Sequence, residues 1–324
     1  MIAAVEAMAD TADRTVTITV PGPNNLSYLP IDLIPKIGAD RAESLLVRVQ
    51  HRDSGSAAMR DLVQRNSDFA ATGLPAQLFL NSRGGDIVTV AAINDLPVFV
   101  LMVRHDLAGQ IRSIADLRGR IVAVPKSDSN TKTTPHQMLD LLLHHAGIAS
   151  DEVRLLASGQ SWSNLSALMS SGSVDAIMGA EPFASRLLAS GKVFFLVNLA
   201  EARKQQTLPG TEFLQAALAT RRELLQQDST VVQRMVAALQ RSLAWIASHS
   251  ATEVADRMDL GDADERNSII TALEKYPRLY SKDGHFFNRQ LRDTELFFRW
   301  ANPDVKQPVE LSSMIDSRWV GMNE

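Results

Sequence analysis

The feature that most constrains the fold is a unit of buried strand, polar turn and helix that recurs along the chain. Residues 15–20 alternate β-branched side chains and end at a turn of proline, glycine and asparagine, which predicts a strand that enters a loop. Residues 45–49 predict a second strand, and a polar turn and a helix over residues 57–66 follow it. Strands that alternate with helices form a mainly parallel sheet covered by helices. We therefore predict an α/β fold.

The same order of elements begins again near residue 114, which indicates a second unit. Residues 120–124 predict a strand, and a Thr-Pro start predicts a helix over residues 135–145 that stops at Gly147. Further alternation continues to residue 199. After about residue 200 the pattern changes to long helical runs, so we predict a helical C-terminal tail without further strands.

Composition limits the class of partner. A chain of 324 residues is long enough for two compact units of roughly 100 to 200 residues each. Its 33 basic and 37 acidic residues are interspersed and give a net charge of -4, so no field is strong enough to hold nucleic acid or a membrane surface. The expected partner is a small molecule or another protein.

The sequence shows no sign of catalytic chemistry. Cysteine is absent, which excludes disulfides, thiolate nucleophiles and cysteine-ligated metals. The seven histidines have no metal-ligand spacing, and His144 and His145 adjoin on one predicted helix and point to different faces. Nucleophile elbows, P-loops and dinucleotide fingerprints are also absent. We expect no catalytic residue, no metal and no cofactor.

The apolar runs are much shorter than the roughly 18 to 20 residues of a transmembrane helix. Residues 1–14 have neither a basic region nor an apolar run, so no secretory signal is recognisable there. Two alternatives follow from this start: a signal was removed, or the protein stays inside the cell.

Three phrases of the second unit carry a family resemblance. These are residues 114–124 (IADLRGRIVAV), 139–147 (LDLLLHHAG) and 172–183 (GSVDAIMGAEPF). Their order resembles the substrate-binding proteins of nitrate, sulfonate and thiamine-pyrimidine importers, over roughly residues 15–200. The resemblance implies a two-lobed fold of the type II periplasmic-binding-protein class with a helical C-terminal tail. Lobe 1 would comprise residues 1–103 and 197–324, and lobe 2 residues 104–196.

The resemblance also implies a function. The protein would be a monomeric, periplasmic or otherwise extracytoplasmic solute-binding protein that traps a small-molecule ligand by lobe closure and delivers it to the membrane permease of an ABC importer. The polar, partly acidic loops favour a small nitrogen-containing planar ligand such as a pyrimidine over a sulfonate or nitrate. One alternative is a ligand-sensing module of a regulatory system. An enzyme of the same fold is less expected, because the enzymes of this group that we recognise use cysteine.

The ligand would lie beyond the carboxyl ends of the strands, where the polar loops of both units gather. By family position, the ligand-binding residues of lobe 1 would be Asn24, Asn25, Tyr28, Ser54, Gly55, Thr72 and Gly73. Those of lobe 2 would be Ser127, Ser129, Asn130, Thr131, Trp162 and Glu181. The resemblance further implies that the carboxylate of Glu181 faces the cleft and pairs with an N–H of the ligand. Trp162 would stack on a planar ligand.

Overall fold

The computed structural model describes residues 13–125, 127, 131–202, 210–306 and 310–323, which form two five-stranded sheets covered by helices and one two-stranded sheet. The strands are β1 (Arg14–Pro21), β2 (Leu45–Arg52), β3 (Phe69–Gly73), β4 (Ile87–Ala92), β5 (Phe99–Arg104), β6 (Ile121–Pro125), β7 (Arg154–Ser158), β8 (Ala176–Ala180), β9 (Val193–Asn198), β10 (Ala216–Arg221), β11 (Phe286–Phe287) and β12 (Met322–Asn323). The helices are α1 (Leu29–Lys36), α2 (Gly55–Val63), α3 (Leu74–Ser82), α4 (Thr134–His145), α5 (Trp162–Ser171), α6 (Phe183–Ala189), α7 (Leu199–Ala202), α8 (Arg222–Gln227), α9 (Ser229–Ser248), α10 (Ala251–Met258), α11 (Ala263–Lys275) and α12 (Asn288–Ala301).

The sheet of lobe 1 has the order β2-β1-β3-β10-β4. Strands β1, β2 and β3 are parallel, and β10 is antiparallel to both of its neighbours. The prediction of a strand-free tail was therefore wrong, because β10 lies in the middle of this sheet. Its sequence, Ala-Ala-Leu-Ala-Thr-Arg, consists mainly of good helix formers. In the structure its backbone pairs with β3 on one side and β4 on the other, and its small side chains are buried, so tertiary structure overrides helix propensity.

The sheet of lobe 2 has the order β7-β6-β8-β5-β9. Its strand β5 is antiparallel to β8 and β9, which makes residues 99–103 part of this sheet. The predicted boundary after residue 103 is thus too late, and the first crossing between the lobes runs through residues 93–98. The apolar stretch of β5 is buried on both faces, as a central strand requires. The chain leaves lobe 2 after β9, which ends at Asn198.

Most of the helical tail packs on lobe 1. The buried stripe of α9, which includes Met235 and Leu239, belongs to the same core as Ile18 and Phe69 of the sheet. Helices α10 and α11 form a second core with α1. Both cores are continuous apolar clusters, so this part of the tail packs firmly on lobe 1.

Helix α12 packs against both lobes. Phe298 lies edge-on to Phe79 of lobe 1, with 6.4 Å between ring centroids. One helical position away, Phe297 and Ala301 belong to the apolar core of lobe 2. Trp300 contacts the rings of His144 and His145 on α4. The tail therefore does not belong to lobe 1 alone.

Candidate functional site

The loops that follow the carboxyl ends of β1, β3, β6 and β7 meet in a cleft between the two sheets. The cavity enclosed between them is small, at about 40 Å³. Lobe 1 lines it with Asn25, Ser27, Tyr28, Gly55 and Gly73, and lobe 2 with Thr133, Thr134, Gln160 and Phe183. Gln215, which precedes β10 on the second crossing segment, lies at its base. This is the place where open parallel sheets bind ligands.

Direct contacts join the lobes across the cleft. The Asn25 amide donates to the Gln160 side chain at 3.2 Å, and the Ser56 hydroxyl donates to the Thr131 carbonyl at 3.2 Å. At Gly73 the approach is closer still, because a Cβ there would lie 1.8 Å from Thr134 Oγ1 and 2.8 Å from Thr134 Cβ. The arrangement is thus a closed one, and only glycine fits at residue 73.

Four of the predicted ligand residues line the cleft: Asn25, Tyr28, Gly55 and Gly73. The side-chain oxygen Oδ1 of Asn25 accepts the Ser27 N–H at 3.0 Å, which directs the side-chain nitrogen Nδ2 towards Gln160. Burial raises the pKa of Tyr28 well above its usual range, so the phenol stays protonated and can donate a hydrogen bond. Gly55 begins α2, and Gly73 is the N-cap of α3.

Ser54 and Asn24 lie beside the cleft and shape the backbone of the loops that form it. The Ser54 hydroxyl accepts the Ala57 N–H at 3.2 Å and caps α2. Asn24 adopts a left-handed conformation with φ of 56°, which turns the chain after β1. Neither side chain lines the cleft, so both act through the backbone that they position.

The side chain of Thr72 lies in the core of lobe 1 and not in the cleft. Its hydroxyl contacts Met59 Sδ at 3.1 Å and accepts a hydrogen bond from Gln77 Nε2 at 3.3 Å. The expectation that Thr72 contacts the ligand is corrected by this geometry. Successive side chains of a strand point to opposite faces, and this one points inwards.

In the loop after β6, Ser127 Oγ lies 3.0 Å from His136 Nδ1 and accepts the Thr133 N–H at 3.1 Å. Ser127 thus holds the start of α4, and Thr131 reaches lobe 1 through its carbonyl. The predicted residues Ser129 and Asn130 lie outside the described residues. Thr133, and not Thr134 as predicted, is the N-cap of α4.

Glu181 is fully buried and does not line the cleft. Its carboxylate accepts the backbone N–H and the hydroxyl of Ser185, at 2.9 and 2.8 Å, and the Tyr276 hydroxyl at 3.3 Å. The expectation that Glu181 pairs with the ligand is therefore corrected. The carboxylate instead satisfies the first turn of α6 and ties it to the end of α11 in lobe 1.

The indole ring of Trp162 also packs against a side chain of the protein itself. The Arg186 guanidinium lies 4.1 Å from the centroid of the indole ring, and it also pairs with Asp262 of lobe 1 at 2.9 Å. Trp162 starts α5 beside the cleft without lining it. Its stacking partner in this structure is Arg186, which corrects the expectation of a stacked ligand.

Sequence reasoning missed several residues that line the cleft. Ser27 and Gln160 sit in polar loops after β1 and β7, where the position after a strand end is the signal that would have found them. Gln215 gave no such signal, because residues near it were assigned to a helical tail. Thr134 was recognised only for its position at the start of a helix.

The electrostatics of the cleft are set by neutral groups. Among the described residues that line it, none is a lysine, arginine, aspartate or glutamate. The first turns of α2 and α4 reach the cleft, and first-turn amides have no partner within their helix. Thr134 Oγ1 is buried and has no hydrogen-bond partner among the described residues. These groups can bind the polar part of a ligand, and none of them supplies a fixed charge.

In the described part of the chain, no group of three or more histidine and carboxylate side chains is placed to hold a metal ion. In the same residues, no helix combines the length and the apolar character that a membrane crossing requires.

Comparison with solved structures identifies the fold as that of the periplasmic binding proteins. A protein of Bordetella bronchiseptica RB50 is 22% identical, with a TM-score of 0.81 over 94% of this chain and 95% of that one. The alkanesulfonate-binding protein SsuA of Xanthomonas axonopodis pv. citri, bound to MOPS, is 15% identical, with a TM-score of 0.73 over 94% and 98%. The aliphatic sulphonate binding protein SsuA of Escherichia coli is 20% identical, with a TM-score of 0.65 over 93% and 97%.

The sequence model of the NMT1/THI5-like family matches residues 41–252, which is more than half of the chain. The protein belongs to this family. The match confirms the resemblance that the sequence phrases indicated. A search of curated proteins finds no significant match.

Proposed function

We propose that this protein is an extracytoplasmic solute-binding protein, which traps a small ligand between its lobes and delivers it to the permease of an ABC importer. The observation that carries the proposal is the cleft itself. Loops of both lobes line it, and contacts such as Asn25 to Gln160 hold it shut. A ligand that binds the closed form more tightly than the open form shifts the population towards closure. The permease would recognise that closed form, and the protein would act as a monomer.

The lining supports a ligand that joins an apolar body to a small polar head. Tyr28, Phe99 and Phe183 offer flat apolar surfaces, which suit an uncharged planar nitrogen-containing molecule such as a pyrimidine. The second candidate is a sulfonate or nitrate-like anion. It is favoured by the amides at the starts of α2 and α4, together with the lack of carboxylates in the described lining.

Glu181 faces the protein interior, so its carboxylate does not support the expected pairing with an N–H group of the ligand. The remaining support for a nitrogen-containing ligand is the shape and apolar character of the lining. The two candidates therefore differ in whether the ligand carries a negative charge.

The enzyme alternative is less well supported. A desulfurization enzyme named DSZB shares the fold at 16% identity, with a TM-score of 0.62 over 95% of this chain and 97% of that one. The present chain contains no cysteine to act as a nucleophile. The cleft lining, as described, holds neither a charged side chain nor a histidine for acid–base work.

A sensor that signals through the same closure differs from a transport protein in its partner and not in its cleft.

A thermal-shift screen of the purified protein tests the proposal, with pyrimidines, thiamine precursors, alkyl sulfonates, nitrate, bicarbonate and aromatic acids as solutes. A solute at 100 times its dissociation constant stabilises the folded protein by about 2.7 kcal/mol. We expect one class to raise the melting temperature and to contract the protein in X-ray scattering. A ligand-free, folded protein that responds to none of these solutes would contradict the proposal.

A further inference from the structure

We infer that Gln215 is a positioning residue that fixes the hydrogen-bond polarity of the cleft, by holding the Ser27 hydroxyl as a donor towards the ligand. Gln215 thereby selects ligands whose polar head accepts hydrogen bonds and disfavours heads that only donate them. This inference rests on the proposed solute-binding function and goes beyond it, because it names a residue and a property of the head.

The orientation of the Gln215 amide follows from its partners. The Val98 backbone N–H can only donate, and it lies 2.7 Å from Gln215 Oε1, so that atom is the carbonyl oxygen. The amide nitrogen then points to Ser27 Oγ at 2.6 Å. Gln215 is 2% exposed, so water does not compete for these bonds. The Val98 N–H thus determines the orientation of the Gln215 amide and, through it, of the Ser27 hydroxyl; we call this chain of hydrogen bonds the relay.

The Ser27 hydroxyl is consequently polarised. Its oxygen accepts the Gln215 N–H, and its own proton has no acceptor among the described residues. Its backbone N–H is already used by Asn25 Oδ1 at 3.0 Å. Because Ser27 lines the cleft, the hydroxyl proton is available to an acceptor on a ligand there.

Three other groups around the cleft can also donate hydrogen bonds, and the Thr134 and Tyr28 hydroxyls among them can accept as well. The Thr134 hydroxyl is 4% exposed, lines the cleft and has no partner among the described residues. The Gln160 carbonyl oxygen accepts the Asn25 amide, which leaves the Gln160 Nε2 hydrogens as donors. The Tyr28 phenol remains protonated, because burial raises its pKa. A buried polar group without a partner is costly, so the cleft is matched to a head that accepts several hydrogen bonds.

Gln215 also connects the site to the hinge. Val98 lies on the first crossing segment and Gln215 on the second, so their hydrogen bond joins the two connections between the lobes. The backbone carbonyl oxygen of Gln215 accepts the Leu74 N–H at the start of α3, at 2.9 Å. The hydrogen bonds that orient Ser27 are therefore held in place by the two segments that connect the lobes.

The first test uses solutes of opposite polarity. Nitrate, ethanesulfonate and benzoate only accept hydrogen bonds, whereas guanidinium, ethylammonium and benzamidine only donate them. We expect stabilisation of the wild-type protein by at least one of the first three and by none of the second three. Stabilisation by a donor-only solute, or by no acceptor-only solute, overturns the inference. A response to a donor-only solute would still support solute binding, whereas silence towards every solute, pyrimidines included, would refute both proposals.

The second test inverts the relay with Gln215→Glu. A carboxylate can accept from both Val98 N–H and Ser27 O–H, which turns the serine proton away from the cleft. We expect at least tenfold weaker binding of the acceptor-only solutes and a new response to ethylammonium. Simple structural damage would weaken binding of the acceptor-only solutes without creating a response to ethylammonium, and that result would refute the positioning role. Gln77→Glu places a carboxylate at another fully buried glutamine outside the cleft and serves as the matched control.

Ser27→Ala keeps the test decisive if Gln215→Glu does not fold. It removes the polarised donor, so the affinity for the acceptor-only solutes should fall. Gln215→Met removes the hydrogen bond that polarises this donor, and it should cause a fall of about the same size. In the double variant the two losses should not add, because Gln215 acts through Ser27. Additive losses would mean that the glutamine acts independently of the serine.

Discussion

Gly73→Ala should oppose lobe closure while leaving each lobe folded. The backbone of Gly73 has φ of -64° and ψ of 133°, which alanine adopts without strain. Its new methyl group would lie 1.8 Å from Thr134 Oγ1, and rotation of that hydroxyl would not remove the 2.8 Å contact with Thr134 Cβ. Overpacking of this kind costs about 1 to 3 kcal/mol. Because the two residues belong to different lobes, only the closed form is affected.

Since 1.4 kcal/mol changes affinity tenfold, the ligand should bind roughly 5- to 150-fold more weakly. Isothermal titration with the stabilising solute of the screen measures this loss, and X-ray scattering measures the contraction on binding. The melting temperature without ligand should not fall. Gly109→Ala is the matched control, because no described residue other than its chain neighbours comes within 4 Å of the added methyl group. A Gly73→Ala protein that binds within twofold of wild type and contracts equally would refute the reasoning.

Three further outcomes are expected. Thr134→Val should weaken binding roughly 2- to 10-fold without lowering ligand-free stability, because the lost hydroxyl has no partner among the described residues; calorimetry and thermal melts measure both. Arg186→Gln should weaken binding by up to about fivefold and remove part of its salt dependence, since Arg186 pairs across the lobes with the half-exposed Asp262; equal salt dependence in both proteins would contradict this. Burial lowers the pKa of His136, so stability is full above the unfolded value of about 6.5 and falls as the pH drops through the lowered pKa. His136→Gln should flatten that decline in melting curves between pH 5 and 8, and an unchanged decline would exclude His136 as its cause.

Local sequence patterns predicted those strands and helices whose own conformational preference agrees with the folded structure. The β-branched run of β1 and the Thr-Pro start of α4 have the same local preference as their final structure, and both were found close to their observed bounds. Strand β10 was missed because its alanine-rich sequence favours a helix in isolation. Its state depends on the gap between β3 and β4, which is a long-range property.

The same limit applies to the site. Residues at strand ends, such as Asn25 and Gly55, could be placed in the cleft because the ends of parallel strands gather at one edge. The direction of a side chain could not be predicted this way. Thr72 and Glu181 both occur at strand ends, yet their polar groups are satisfied by Gln77 and Tyr276 inside the protein. Gln215 acts through sequence-distant partners that only the folded chain brings together.

The position of Arg186 over Trp162 should make the fluorescence of this tryptophan depend on whether the lobes are closed. Arg186 lies 4.1 Å from the indole centroid while its guanidinium pairs with Asp262 on the other lobe. Separation of the lobes breaks that pair and releases the cation from its position over the ring, which changes the electrostatic environment of the indole. Trp245, in contrast, stacks on His249 within the same lobe. A variant in which Trp162 is the sole tryptophan would therefore report opening and closing through its own fluorescence, in unlabelled protein and in real time.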